Sequence, residues 1–133
     1  MPTPAPFLTR VHYYPSPTRH SCAYESGALD APNAIIAIGG LGDGPHTVLY
    51  FHDLATRLDA TKGPSYSVFQ LRLKSSFIGY GTSSLAEDVV HISALVKYLR
   101  AIGKKKIVLL GHSTGSQVCL LRRVTRTMCS PRN

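Results

Sequence analysis

The sequence predicts an α/β protein built around a mostly parallel sheet, and three observations carry that prediction. Short apolar, β-branched runs alternate with segments of helical periodicity. One such run stops at Gly39-Gly40 and another at Gly111, as buried parallel strands do where they leave a sheet. A serine–glutamate capping box opens the longest helical segment. No repeat or low-complexity block interrupts the alternation over 133 residues.

Residues 7–14 are rich in strand formers and end at Pro15, which predicts an early strand and a turn. A second short strand is expected around residues 21–25. Residues 33–38, Asn33-Ala34-Ile35-Ile36-Ala37-Ile38, are a β-branched apolar run that reads as a buried parallel strand. A helix is expected from about Thr47 to Asp59, with Val48, Phe51, Ala55 and Leu58 on one face. Residues 66–71 are a further strand, bounded upstream by Gly63-Pro64. Ser84-Leu85-Ala86-Glu87 then caps a helix running to about Ala101. Leu85, Val89, Ile92, Val96 and Leu99 recur along it at helical spacing, and Gly103 supplies the stop. Residues 107–110, Ile-Val-Leu-Leu, read as a buried strand.

Composition limits the function classes. An apolar fraction of 44% and a charged fraction of 17% are those of a globular protein. The longest unbroken apolar stretch, residues 34–38, is far short of the ~18 residues of a membrane span. Residues 1–6 hold three prolines and no basic region leading into an apolar one, so no secretory leader is expected there. Cys22, Cys119 and Cys129 are widely spaced, without a metal or redox pair, and read as free thiols of a cytoplasmic protein. The net charge of +8 is uneven: residues 1–113 hold eleven Lys and Arg against seven Asp and Glu, and Arg122, Arg123, Arg126 and Arg132 follow with no acid. Lys104-Lys105-Lys106 reads as a solvated connection near a helix C-terminus. No aromatic residues interleave these positives, so nucleic-acid binding is not expected.

The chemistry is concentrated at Gly111-His112-Ser113-Thr114-Gly115, a G-x-S-x-G sequence directly after a strand. The motif places serine on a tight strand-to-helix turn, and side chains two positions before or after it would strike the neighbouring backbone. The turn lifts the serine oxygen above the sheet and leaves N–H groups of the next helix free for an oxyanion. A second loop, Gly39-Gly40-Leu41-Gly42-Asp43-Gly44, can bring another N–H to the same place. Leu41 is the first choice of donor there, Gly42 the second, and Thr114 supplies the partner. That loop lacks the dinucleotide register, whose third glycine falls on Pro45 or Thr47, and lacks the Gly-Lys-Ser/Thr of a phosphate loop.

At these residues the chain resembles the α/β-hydrolase superfamily, and more narrowly a mainly fungal family of uncharacterised hydrolases that includes siderophore esterases. The resemblance rests on residues 38–44, on Ser75-Ser76-Phe77-Ile78-Gly79-Tyr80-Gly81-Thr82-Ser83-Ser84-Leu85, and on residues 104–117 ending in Gly111-His112-Ser113-Thr114-Gly115-Ser116-Gln117. It covers roughly residues 7–117. It implies helices on both faces of the sheet, Ser113 as nucleophile, Leu41 and Thr114 at the oxyanion hole, a small-molecule ester substrate, and no metal or organic cofactor.

One departure qualifies the match. The superfamily places its triad in the order Ser, Asp or Glu, His, yet no Asp, Glu or His follows Ser113. His112 sits in the elbow, where a packing or loop role is expected, and His91 is expected on the surface of the long helix or partly buried near its Val89/Ile92 face. The expectation is therefore the N-terminal half of a hydrolase domain over residues 1–117, truncated after the elbow, with a divergent basic tail over 118–133. Esterase descent is the first reading, and a non-catalytic remnant or interaction module is the alternative. The strand ending at Leu110 should form a sheet edge and invite self-association.

Overall fold

A computed structural model describes residues 5–19, 21–60, 62–63 and 65–129, apart from the side chains of Tyr80 and residues 124–129. Residues 1–4, Pro64, the Cys129 thiol, the Arg126 side chain and Arg132 thus lie outside the described residues.

The expected strands pair into one sheet. They are β1 (Arg10–Tyr13), β2 (Cys22–Gly27), β3 (Asn33–Ile38), β4 (Tyr66–Leu71) and β5 (Ile107–Gly111), in the spatial order β1-β2-β4-β3-β5. β3 runs parallel to both β4 and β5, and β1 and β2 add an antiparallel flank beside β4. The connection from β1 to β2 is too short for a crossover helix, so only antiparallel pairing is open to it. Alternation along the strands divides the core into two faces. Ile36, Ile38, Phe69 and Leu71 face α2 (Leu85–Ala101) and α3 (Thr114–Cys129), with Ile92, Leu95, Leu99 and Val118 buried against them. Ala37 and Val68 face α1 (Tyr50–Ala60), which buries Phe51 and Ala55. Helices therefore cover both faces.

Four details differ from the sequence reading. Helix α1 opens at Tyr50 rather than Thr47, because the Thr47 hydroxyl is engaged by Asp43 Oδ1 and the Gly44 carbonyl, both at 2.9 Å. Leu85 is 40% exposed, since the first turn of α2 projects beyond the core. Its capping box with Glu87 forms as expected. His91 is fully buried, deeper than the surface or partly buried place expected of it, and its Nε2 lies 2.9 Å from Thr18 Oγ1. Lys104 is no solvated connection: its side chain is 8% exposed and its Nζ donates to Glu25 Oε2 at 3.1 Å, Ser67 Oγ at 3.2 Å and the Ala31 carbonyl at 2.5 Å.

Among the described residues β5 pairs on one side only, with β3, so it is the edge that its place in the sequence predicted. The chain passes residue 117 inside α3 without a break, burying Val118 and leaving Leu120 exposed. No helix of the described residues is long and apolar enough to cross a membrane.

Two predictions follow from these buried groups. Replacing Lys104 by Met takes from buried Glu25 its buried cationic partner and leaves it the half-exposed Arg10 at 3.6 Å, a break in a buried pair that costs about 3–5 kcal/mol; urea unfolding should show a loss of that size. Burial holds the His91 imidazole below the ordinary histidine value, with Asp88 and Glu87 opposing the shift. The unfolded chain then binds more protons than the native one as pH falls through about 6.5, so stability falls with it. Between pH 7.5 and 5.5 the native sequence should lose more stability than His91→Gln, and equal losses would remove His91 from the account.

Candidate active site

The elbow is built by a change of hand in the backbone. β5 ends at Gly111, Ser113 adopts φ +55°, and α3 begins at Thr114. A β-substituted residue reaches this left-handed region only when its surroundings impose it, at about 1–2 kcal/mol. The turn is closed by Gly115 N–H to the His112 carbonyl and Ser116 N–H to the Ser113 carbonyl, both at 3.0 Å. Steric space is the reason for the two glycines. A Cβ on Gly111 would lie 2.5 Å from Ser116 N, and one on Gly115 would overlap the Ile38 carbonyl oxygen. The motif's spacing is thus the spacing at which β5 and α3 can meet β3.

The second loop lies against the first. A Cβ on Gly40 would sit 3.0 Å from Ser113 Cβ and 3.4 Å from its Oγ. Asp43 organises this loop: Oδ2 accepts from Gly40 N–H at 2.9 Å, Oδ1 accepts from the Thr47 hydroxyl at 2.9 Å, and its carbonyl accepts from Phe77 N–H at 3.1 Å. Gly40 N–H is therefore occupied, whereas Leu41 N–H has no acceptor among the described residues. Thr114 heads α3, where the first N–H groups lack intrahelical acceptors. Leu41 and Thr114 line one cavity of about 310 Å³, together with Gly39, Gly40 and Gly115. Ser113 itself is exposed, and Gly42, at φ +79°, stands clear on the loop's outer side.

Further residues shape the site without having been singled out from the sequence. Besides Asp43 these are Phe77, at φ +58° with its ring against Gly44, and Asp88. Asp88 is buried in the cavity wall and accepts from Ser75, from its hydroxyl and from its N–H. The signal for Asp43 was present: an Asp three residues after Gly40 and a Thr three after Gly44 are side chains that bond to nearby backbone in turns. Asp88 left none, because a carboxylate at helix position four reads as solvated.

No described histidine hydrogen-bonds Ser113. His112 turns toward α1, its Nδ1 3.2 Å from Tyr50 Oη. His12 bonds Glu25 and Tyr98, and His91 bonds Thr18. His46 and His52 pack on Phe7, and burial followed by the nearby His52 lowers the pKa of His46. Among the described residues no group of three His, Cys, Asp or Glu side chains could hold a metal ion.

The strain at Ser113 is directly testable. Ser113→Gly should raise stability by about 1 kcal/mol, because glycine enters the left-handed region without a Cβ penalty. Chemical denaturation would measure it, and a loss of stability would mean that the serine side chain holds the turn together.

Comparison with known proteins agrees with this geometry. The chain is 35% identical over 125 residues to Fusarinine C esterase sidJ of Aspergillus fumigatus, covering 87% of this chain and 34% of that protein. Its fold matches the siderophore hydrolase EstB from the same organism with a TM-score of 0.69 and 31% identity, over 88% of this chain and 37% of that one. An α/β-hydrolase fold protein of unknown function superposes with a TM-score of 0.72 at 24% identity, over 88% of this chain and 39% of the other. The chain spans about a quarter to a third of the length of the curated relatives it matches. Its fold is that of an α/β-hydrolase, as a partial domain. The model of the family described as Protein of unknown function (DUF1749) matches residues 1–130, past Gln117, and the chain belongs to that family.

Proposed function

We propose that this chain carries the nucleophile half of an esterase-type site, with Ser113 as the attacking group and the N–H groups of Leu41 and Thr114 as oxyanion donors. The observation that carries this reading is Ser113 held at φ +55° between strand and helix, against Gly40. In this chemistry the serine oxygen bonds to the ester carbonyl carbon, and its proton passes to a base. The carbonyl oxygen becomes an oxyanion, which the two N–H groups stabilise. Collapse of that intermediate expels the alcohol, which takes up the proton, and leaves an acyl group on Ser113. The two Aspergillus relatives, whose names describe a fusarinine C esterase and a siderophore hydrolase, support an ester substrate of small-molecule size.

The missing part is the base. After Ser113 the 133 residues contain no Asp, Glu or His, and no described histidine reaches the serine. A preformed turn and oxyanion donors without proton transfer give weak catalysis, since loss of a triad member typically costs on the order of 10⁴ in rate. This favours the second reading, in which the chain by itself is a non-catalytic hydrolase unit that acts through binding.

The expected outcome is that the purified chain hydrolyses p-nitrophenyl esters no faster than Ser113→Ala. Stoichiometric labelling by a fluorophosphonate that disappears in Ser113→Ala would overturn the inactivity and identify a base within the chain.

A further inference from the structure

We infer that Ser16, in the connection between β1 and β2, is a phosphoacceptor for a proline-directed protein kinase, and that its phosphate acts on buried His91 through Thr18. Tyr13 pairs with Cys22, so residues 14–21 close an antiparallel hairpin for which about two to five residues suffice. A connection longer than its strands need is a common place for function. None of its described residues lines the cavity beside Ser113.

The run Tyr14-Pro15-Ser16-Pro17-Thr18-Arg19 has the chemistry of a kinase substrate. Proline fixes its own φ and disfavours the helical region for the residue before it. Tyr14 and Ser16 each precede a proline, so extended backbone is favoured through Ser16, the shape in which a kinase cleft holds its substrate. Pro17 has no N–H, which excludes clefts that need a donor directly after the acceptor and suits those shaped for proline. Arg19, three residues after the serine, is exposed, and its guanidinium makes no ion pair among the described residues. It can therefore meet an acidic group on the enzyme.

Pro15, Pro17 and Thr18 are exposed as well, and Ser16 is half-buried. Thr18 N–H donates to Ser16 Oγ at 3.3 Å, a long bond that the loop gives up at little cost when it enters a cleft. Thr3, Ser16 and Ser130 are the hydroxyl residues that precede a proline in this chain. Of these only Ser16 has a basic residue three positions on, since Thr3 has Pro6 there and Ser130 has Asn133.

ATP supplies the phosphoryl group. The Ser16 oxygen bonds to the γ-phosphorus, and the bond from that phosphorus to the β–γ bridging oxygen breaks. ADP leaves, and the hydroxyl proton passes to a base of the kinase. The product carries a charge of about −1.5 to −2 at pH 7. That charge sits on an oxygen bonded to Thr18 N–H, and Thr18 Oγ1 lies 2.9 Å from His91 Nε2. His91 is 3% exposed. Burial lowers its pKa, Asp88 and Glu87 raise it, and Lys74 lowers it. A phosphate beside Thr18 joins the acidic side of that balance and raises it.

The test incubates the 133-residue chain with ATP and a cyclin-dependent kinase, the class that takes proline directly after the serine and a basic residue two further on. Mass spectrometry should place one phosphate on Ser16 and none on Thr3 or Ser130. Ser16→Ala should take up none. Arg19→Ala should lower kcat/KM about tenfold, the worth of one charge-assisted hydrogen bond. Circular dichroism should be unchanged in both variants. An NMR titration should put the pKa of His91 about half a unit higher in the phosphorylated chain than in the unmodified one. Absence of phosphate from Ser16 would overturn the phosphoacceptor, as would equal labelling of Thr3 or Ser130. Phosphorylation that leaves the His91 titration unmoved would overturn the action through Thr18.

Discussion

The carboxylate of Glu25 is the point to which the lower end of the sheet is tied. It is 1% exposed and belongs to β2, yet its partners come from three other segments. His12 Nε2 in β1 lies 2.9 Å away, Ser67 in β4 donates at 2.6 Å, and Lys104, between α2 and β5, donates at 3.1 Å. Burial alone would raise the pKa of this group, but the hydrogen bonds from Ser67, His12 and Lys104 outweigh it and keep the carboxyl below its usual range. A buried anion with so many donors cannot shift without leaving several groups unpaired, and each unpaired group is expensive in a low dielectric.

The consequence reaches the opposite end of the molecule. Lys104, once seated on Glu25 and the Ala31 carbonyl, delivers Lys105 N–H to the Pro32 carbonyl and the Lys106 carbonyl to Ala34 N–H. β5 therefore enters beside β3 in a single register, which ends where His112 N–H meets the Ile38 carbonyl. A slip of one residue would turn every side chain of β5 to the other face. It would also separate Ser113 from Gly40. The strained elbow is thus held by a strand whose register is set by a charge network at its far end.

The same strand faces two ways in a functional sense. Toward β3 it is saturated and positions the turn that carries Ser113. Away from β3 its edge is unpaired among the described residues. An exposed apolar edge is a hazard in an isolated protein, and here it lies beside a turn whose serine no described histidine hydrogen-bonds. Both features concern the same side of the sheet.

Local signals were legible in the sequence wherever they act over a few residues. Glycine stops, the box of Ser84 and Glu87, the apolar alternation of residues 33–38 and the G-x-S-x-G spacing each express a steric or hydrogen-bonding demand of the immediate backbone. They placed the strands and two of the helices, and they put Ser113 on the turn between β5 and α3. What the sequence could not reveal depends on partners far along the chain. A lysine in a run of three looks solvated until Glu25, 79 residues earlier, takes its proton donors. His91 looks superficial or at most partly buried until Thr18, 73 residues earlier, meets it. Asp88 looks like an exposed first-turn acid until Ser75 folds over it. The free energy of a buried polar group lies in its partners, and for these three residues only the tertiary structure brings the partners together.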